Sequence, residues 1–568
     1  MKKLPGHRIS ELLICCFIFA VSYLFFHPVV DDYSFFASSL AAHQFCDFSY
    51  FDFHWQGYIG IREVYKAFYY LLPQINWHYV FSIVTEFAGL YLLLRVLRSI
   101  ALEIVTTEWL IVALQILFGL LYIEDIISVS HTRVSIIFCG VAVFRLAFLQ
   151  RPRRQDTIAD TLLYITGLLL RPESSIGTLL LAGAGLLLFT LDIRYTLRRL
   201  WIPASIVTLF LVLFAIDLQT TDIYVRKIEP EIEYKVMADR MLPFSAMKTP
   251  QDSVKREAMK IGMWFDTRGM SPEYMRSILL PGGDFSLAHS LAVFYHVCSF
   301  YGYYSFIDAF IAVLLLLSLL APQRDWRGIA RMVALAVFSF VVIYLLDYNG
   351  FLVCDRHFLN LQFTSLLVLS YFFFHQQGIS DILLRPVRVV LALLIAFIFL
   401  GLTIAGYARD NRSTYADIEA AEQMMKAIES RYTGRLVIST IDGRFLFDQH
   451  FSVWNHNYTA NHYILYDWFT FASTPRYVDY LSRSCGCDAG DPAALFRWFA
   501  SQNALYLARP YRSGLTARYM QTVYGCDVYF DDPVRVNDLV RLNNMQTDSL
   551  ELRTVKLRQD TVAAREAP

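Results

Sequence analysis

Acidic residues stand beside arginine or histidine at several points where a long apolar run begins or ends. Asp31 and Asp32 directly follow the first such run. The other clusters are Glu124, Asp125, His131 and Arg133; Arg171 and Glu173; and Asp347, Asp355, Arg356 and His357. A carboxylate can accept a proton from a hydroxyl, and arginine binds phosphate oxygens through a bidentate fork. These residue types suit a site that holds a phosphate and deprotonates a hydroxyl.

The pair Asp31-Asp32 is the strongest candidate for the base. Adjacent carboxylates at the end of an apolar segment repel each other, which makes one of them a stronger base. The alternative is that the two acids only mark the end of a membrane span. The stretch that follows, residues 35–55, is rich in Phe and Trp and carries few charges, which predicts helices lying along the membrane surface.

The composition indicates a membrane protein around these clusters. Of 568 residues, 56% are hydrophobic and only 18% are charged, and the mean hydropathy is +0.41. Soluble domains carry about 25% charged residues, so a soluble enzyme, a disordered chain and a nucleic-acid binder are excluded. The 50 basic and 50 acidic residues cancel, so any information in the charges lies in their positions.

Apolar runs predict about eleven transmembrane helices, from residues 12–26 to residues 389–407. Arginine-rich connections recur on alternate sides, which predicts a cytoplasmic amino terminus by the positive-inside rule. These arginines include Arg95, Arg98, Arg151, Arg194, Arg199 and Arg324. An odd number of spans places the carboxy terminus outside. The transmembrane domain is therefore predicted as residues 1–407, with outer loops at residues 31–79 and 217–303.

Residues 408–568 are predicted to form a small extracytoplasmic α/β domain. A polar helix is expected at residues 415–431, and strands at residues 435–440, 504–508 and 527–530. Cys485, Cys487 and Cys526 share this domain. An oxidising exterior would permit one disulfide, joining Cys526 to Cys485 or Cys487, and the alternative is that all three remain unpaired.

Two further features have open interpretations. Glu86 lies inside an apolar run, where it either lines a cavity or hydrogen bonds a neighbouring span. Residues 264–269 and 281–284 combine charge with turn residues, which fits either a mobile lid over a site or an ordinary surface connection.

The placement of the acidic clusters resembles that of the GT-C superfamily of integral membrane glycosyltransferases. Members of this superfamily carry an acidic pair after the first span, a second acidic position in the next outer loop, and often an outer carboxy-terminal domain. Asp31-Asp32 and Glu124-Asp125 correspond to the two acidic elements, and Arg171-Pro172-Glu173 is similar to an element of some bacterial members. The resemblance implies an inverting glycosyltransferase that uses a polyprenyl-phosphate sugar as donor.

The resemblance also implies roles for these residues. The catalytic candidates are Asp31, Asp32, Glu124 and Asp125, with Asp31 or Asp32 as general base. The candidates for binding the donor phosphate are Arg133, Arg171, Arg356, His131, His357 and Glu173. For each arginine, a role at the membrane interface is the alternative. A divalent cation held by Asp31, Asp32 and Glu124 is a second alternative, although most members of the superfamily are thought to need no metal.

The implied partners are the polyprenyl-phosphate sugar, a glycan, lipid or protein acceptor, and membrane lipid, with no nucleic acid. The expected location is the inner membrane of a bacterium. A lipid-linked-glycan transporter or flippase and a polysaccharide polymerase are the alternative functions. A transporter is expected to show internal repeats and charges near the middle of the membrane, and this chain has acids at the outer ends of its spans instead.

Overall fold

Helices, most of them apolar, occupy most of the first 407 residues of the chain in the computed structural model. Their bounds are α1 Gly6–Phe25, α2 Trp77–Ala101, α3 Glu108–Leu121, α4 Ile123–Ile127, α5 His131–Phe148, α6 Arg154–Leu170, α7 Pro172–Thr190, α8 Ile193–Thr220, α9 Pro250–Lys260, α10 Leu287–Tyr303, α11 Ser305–Leu319, α12 Trp326–Tyr348, α13 Asp355–Phe374 and α14 Pro386–Arg431.

The structure describes residues 6–26, 29–30, 67–68, 70–72, 74–75, 77–102, 108–129, 131–149, 154–170, 172–220, 249–260, 266, 268–269, 274, 287–303, 305–321, 324–348, 355–376, 386–439, 462–465, 475–535 and 550–558. Most of the predicted outer loop at residues 31–79, including residues 31–66, lies outside these residues.

Among the described residues, three helices are long and apolar enough to cross a membrane. They are Tyr79–Ala101, Ile193–Val212 and Trp326–Leu345. Six shorter apolar helices accompany them, including Ser10–Phe25, Glu108–Leu121 and Leu361–Phe374. The fold is therefore that of a helical membrane-type protein, and the number of eleven spans stays a prediction.

Packing contacts show that α5, α7 and α13 run in the same direction. Towards their starts, Leu361 of α13 shares a buried cluster with Ile136 of α5 and would lie 2.9 Å from a Cβ atom at Gly177 of α7. Near their last turns, the ring of Phe148 meets the ring of Tyr371 with centroids 5.0 Å apart. We call the end at which these three helices begin the site end, and the opposite end the far end.

Helices α1, α3 and α6 start at the far end and run in the direction opposite to α5. Ser135 of α5 meets Gly167 near the end of α6, and Arg145 of α5 meets Asp160 near its start, so α5 and α6 are antiparallel. At the far end, Arg98 of α2 joins the start of α1 to the start of α3. Consequently α1 and α6 both end at the site end.

Two elements differ from the predicted loops and boundaries. The predicted outer loop at residues 217–303 contains an apolar helix, α10, whose Phe294 packs on Phe340 of α12 with ring centroids 5.8 Å apart. Helix α14 continues from the last apolar run through the predicted polar helix to Arg431 without a break. The predicted boundary after Tyr407 thus falls inside one helix, and the division into two domains stays a prediction.

The carboxy-terminal region forms a five-stranded mixed sheet. Its strands are β3 Leu436–Ser439, β4 His462–Leu465, β5 Leu505–Ala508, β6 Val528–Arg535 and β7 Glu551–Leu557, in the order β4-β3-β5-β7-β6. Strands β3, β4 and β5 are parallel, whereas β7 is antiparallel to both β5 and β6. The strands predicted at residues 435–440, 504–508 and 527–530 are confirmed, and β4 and β7 were missed.

Helices α15 Pro475–Cys485, α16 Pro492–Ser501 and α17 Pro510–Tyr524 connect these strands. Helix α16 starts where the Asp491 side chain accepts a hydrogen bond from the backbone N–H of Ala493, with Pro492 in the first turn. Helix α17 ends at Gly525, whose φ of 63° permits the left-handed cap that closes the last turn. Aromatic side chains of both helices, Phe496 and Tyr519, fill the core against the sheet.

Candidate functional site

A short parallel strand pair connects two of the predicted acidic positions at the site end. Strand β1, Val29–Val30, pairs with β2, Ser128–Val129, in the register Val29 to Ser128 and Val30 to Val129. Paired strands lie about 4.8 Å apart, and parallel strands direct their following residues to the same edge. Asp31 follows Val30 directly in the chain, and α5 begins two residues after Val129. The pairing therefore brings the segment that precedes Asp31 beside the start of α5.

The second acidic position lies immediately before this strand pair. Glu124 and Asp125 belong to the backbone of the one-turn helix α4, which leads directly into β2. Thus the chain passes from Glu124 and Asp125 through β2 into His131 and Arg133 within a few residues. Of these, the structure describes the side chain of Arg133, which is buried at 2% exposure in the first turn of α5.

The other predicted residues lie at the starts of the helices packed on α5. Glu173 is the second residue of α7, and Arg356 and His357 are the second and third residues of α13. Because α5, α7 and α13 run in the same direction, their first turns lie at the same end of the bundle. Asp31, Asp32 and Arg171 lie outside the described residues, and the roles of the whole set stay predictions.

Three helix amino termini at one end create a positive electrostatic environment. Each helix amino terminus carries roughly half a positive charge and unpaired backbone N–H groups. Arg133 adds a full positive charge in the first turn of α5. A cation is unfavourable at this position, whereas an anion is stabilised. The arrangement therefore favours binding of a phosphate or a carboxylate.

Close packing at Gly167 sets the position of the last turn of α6, which ends at Leu170. The Ser135 hydroxyl donates a hydrogen bond of 2.7 Å to the Gly167 carbonyl oxygen. A Cβ atom at Gly167 would lie 2.7 Å from the Cys139 sulfur and 2.9 Å from the Ser135 carbonyl oxygen, so no larger residue fits without movement. The last turn of α6 is therefore held directly against α5, as small residues permit in membrane helices.

A second hydrogen bond ties the start of α7 to the same helices. The Tyr164 hydroxyl of α6 donates to the carbonyl oxygen of Ser175 at 3.1 Å, two residues after Glu173. Sequence reasoning missed Tyr164, Ser135 and Gly167. A glycine and a serine inside apolar runs are a recognisable signal of close helix packing, but they do not identify the partner helix.

Glu86 forms the hydrogen bond to a neighbouring span that was one of its two interpretations. Its carboxylate accepts a bond of 2.7 Å from the hydroxyl of Tyr122, and both side chains are buried. Tyr122 directly precedes α4, so this bond joins α2 to the helix of Glu124 and Asp125. The bond therefore holds α2 against the residue that precedes α4.

A cavity of about 220 Å³ lies between α11, α12 and α13. Its lining is apolar except for Ser339, Gln362 and Ser365. The two serine hydroxyls are 3.1 Å apart, and the Gln362 amide donates to Ser339 at 3.4 Å. Val337, on the same lining, is 57% exposed, so the cavity opens towards the side of the bundle.

Part of the predicted lid is anchored to the carboxy-terminal region. Asp266 is buried and accepts hydrogen bonds of 2.5 Å from the hydroxyls of Tyr519 and Tyr524. Arg268 forms an ion pair with Asp488 in the same region. Residue 266 is therefore a fixed attachment point, and of residues 281–284 nothing is described.

Helix α9, from the same predicted outer loop, packs on α17. Val254 and Ala258 join the aromatic core of the sheet domain, and Glu257 forms an ion pair with Arg518. Beside them, the Tyr274 hydroxyl donates to Asp252 at 2.8 Å. Burial lowers the pKa of Lys255 and raises that of Tyr274, and burial also raises the pKa of Tyr524 beside Asp266.

Within the described part of the chain, no group of three or more His, Cys, Asp and Glu side chains could hold a metal ion. Asp31, Asp32 and the side chain of Glu124, the metal ligands considered as an alternative, are not in that part.

The chain's sequence matches no protein-family model and no curated protein. Among solved structures, the crystal structure of ArnT from Cupriavidus metallidurans in the apo state matches with a TM-score of 0.37. The identity is 12%, over 97% of this chain and 98% of that chain. At this TM-score the two backbones differ too much for one to inform the function of the other.

Proposed function

We propose that this chain is a membrane glycosyltransferase of the GT-C type, located in the inner membrane of a bacterium with its amino terminus in the cytoplasm. It transfers a sugar from a polyprenyl-phosphate donor to an acceptor hydroxyl on the outer face, with inversion at the anomeric carbon. Asp31 or Asp32 is the general base, and Glu124 and Asp125 complete the acidic site.

The parallel pairing of β1 with β2 is the observation that carries this proposal. It links the segment before Asp31 to the segment between Glu124 and Arg133, although about a hundred residues separate them in sequence. A general base must lie within hydrogen-bond reach of the proton that it removes, close to the group that stabilises the leaving phosphate. The pairing supports that proximity.

The amino termini of α5, α7 and α13 at the site end support a role for this end in binding the donor phosphate. Attack on the anomeric carbon breaks the bond to the phosphate oxygen, and negative charge develops on the departing polyprenyl phosphate. Arg133, Arg171 and Arg356, with His131 and His357, would stabilise that charge together with the helix amino termini. Glu173 lies in the same cluster, where it would orient an arginine or the sugar.

The side cavity supports access for a lipid substrate. A polyprenyl chain must enter from the membrane, whereas a polar acceptor must enter from water. The cavity between α11, α12 and α13 opens to the side, and its lining is mostly apolar. We assign the lipid chain to this cavity and the acceptor to the outer face.

The decisive experiment replaces the base. In the double variant Asp31→Asn, Asp32→Asn, each side chain keeps its size but loses the proton acceptor, so transfer should fall roughly 100-fold to 10,000-fold. Transfer from a polyprenyl-phosphate sugar is measured in reconstituted membranes, with protein levels compared by immunoblot. Asp156→Asn, an exposed acid at the far end, is the matched control and should leave transfer unchanged. Near-normal transfer by the double variant would refute the proposed base.

A further inference from the structure

Two cysteines of the carboxy-terminal domain face each other across one glycine. Cys485 is the last residue of α15, Gly486 has a φ of 66°, and Cys487 follows. The left-handed conformation of Gly486 reverses the chain and turns both thiols to the same side. Their sulfur atoms are 2.9 Å apart. This contact differs from the expectation that Cys526 would be the partner of one of them.

The separation of the sulfur atoms favours a covalent bond over a shared metal. A disulfide requires about 2.05 Å between the sulfurs, so closing the bond needs an approach of less than about 1 Å. Two thiolates on a tetrahedral zinc ion, at about 2.3 Å each, would lie roughly 3.8 Å apart and would have to separate. The described residues also contain no cluster of three metal-ligating side chains.

The surrounding turn holds the two thiols in place without a bond between them. The Ser482 hydroxyl accepts a hydrogen bond of 2.9 Å from the Ala489 backbone, and the Asp488 side chain accepts one of 2.9 Å from Gly490. Arg268, from the segment anchored at Asp266, pairs with Asp488. The geometry needed for closure is therefore present in the dithiol form.

We propose that Cys485 and Cys487 form a redox pair that closes to a disulfide within the turn when the chain meets an oxidising exterior. The proposal requires the carboxy-terminal region to lie outside the cytoplasm. It does not depend on the proposed glycosyltransferase activity. Disulfides persist in the bacterial periplasm and on cell surfaces, whereas the cytosol keeps thiols reduced. Both thiols are partly exposed, so an external disulfide can reach them.

The oxidant is a disulfide of an external protein or of a small thiol compound. The Cys485 sulfur, as thiolate, attacks one sulfur of that disulfide, whose S–S bond breaks and whose other sulfur leaves as a thiol with the proton from Cys485. The Cys487 sulfur then loses its proton and attacks the Cys485 sulfur, which releases the second thiol. The pair loses two electrons, and the external disulfide is reduced to two thiols.

The second step needs the Cys487 thiolate. Burial, with the neighbouring Cys485 acting in the same direction, raises the pKa of the Cys487 thiol to about 12. At neutral pH Cys487 is therefore mostly protonated, and proximity to Cys485 compensates for its low thiolate fraction.

Tryptic mapping of the full-length protein tests the pair directly. Membranes are treated with N-ethylmaleimide before any reductant is added, and the protein is purified and digested. Cleavage after Arg483 and Arg497 releases residues 484–497, which contain both cysteines of the pair and no other. We expect this peptide without an adduct and lighter by two hydrogen atoms. Two adducts on it would overturn the proposal, as would a cross-link to residues 519–535, which contain Cys526.

Variants and mild reduction give an independent check. Cys526→Ser should leave the light peptide unchanged, whereas Cys487→Ser should leave one adduct on Cys485. Millimolar dithiothreitol, added without denaturant, should convert the light peptide to the form with two adducts, because the pair is partly exposed. Reduction that occurs only after unfolding would overturn the redox role.

Discussion

The two ends of the helical bundle use arginine in opposite electrostatic positions. At the far end, Arg199 donates to the carbonyl oxygens of Ala147 and Leu149 at 3.1 and 2.7 Å, where α5 ends. This is the favourable position for a cation, since a helix carboxy terminus is negative. At the site end, Arg133 is buried in the first turn of α5, where the helix itself repels it.

The far end also provides carboxylate partners for its arginines. Arg98 binds Glu108 through two hydrogen bonds of 2.8 and 3.0 Å and lies 3.8 Å from Glu11. Arg145 binds Asp160 at 2.8 Å. These pairs hold helices together, so the arginines that predict orientation also stabilise the bundle. The comparison indicates that arginine at the far end serves structure, and we propose that arginine at the site end serves a ligand.

Removing Arg98 should have the largest effect on stability. In Arg98→Ala, Glu11 stays buried but loses the positive charge beside it. The free energy of unfolding should fall by about 3 kcal/mol. This value is at the lower end for buried ion pairs because Glu108, the second partner, is half exposed. The midpoint of thermal unfolding in lipid nanodiscs measures this loss. Arg194→Ala, an exposed arginine at the same end, should change the midpoint little. Equal midpoints for the two variants would refute the claim that Arg98 stabilises the helical bundle.

Replacing Arg133 by lysine should affect transfer more than folding. Lysine keeps the charge but cannot form the two parallel hydrogen bonds of the arginine fork. One lost hydrogen bond to a charged phosphate costs roughly 1.5–3 kcal/mol, so kcat/KM should fall about 10-fold to 100-fold. Steady-state transfer in reconstituted membranes measures the loss, and the unfolding midpoint is recorded in parallel. Arg194→Lys is the matched control and should retain full transfer. A normal kcat/KM for Arg133→Lys would assign Arg133 to a structural role in the bundle instead.

Adding one methyl group at Gly167 should have the smallest of the three effects. In Gly167→Ala, the new Cβ atom meets backbone atoms of α5, which cannot move aside freely, so unfolding should become easier by about 1–3 kcal/mol. Transfer should also fall, because the last turn of α6, which directly precedes Arg171 in the sequence, shifts. The same change at Gly401, where nothing lies within 4 Å, should be neutral or stabilising by up to about 1 kcal/mol. If Gly167→Ala and Gly401→Ala have the same free energy of unfolding, the packing of α6 on α5 at Gly167 does not stabilise the site end.

The sequence alone determined the properties that depend on local composition. Apolar runs set the positions of the helices, because each run must match the thickness of a bilayer whatever its neighbours are. Three strands of the carboxy-terminal domain were predicted correctly from short apolar segments between turns. The acidic clusters were located at helix ends because the cost of burying a charge is itself a local property.

Tertiary structure decided which of these local features meet. The pairing of Val29–Val30 with Ser128–Val129, the contact of Gly167 with α5 and the anchoring of Asp266 by two tyrosines each join distant segments. No periodicity in one segment specifies its partner, because many helices and strands carry similar apolar surfaces. The contact of Cys485 with Cys487 was missed for a related reason: the sequence analysis considered only Cys526 as a partner for either cysteine, whereas the left-handed turn at Gly486 places the sulfur atoms of Cys485 and Cys487 2.9 Å apart.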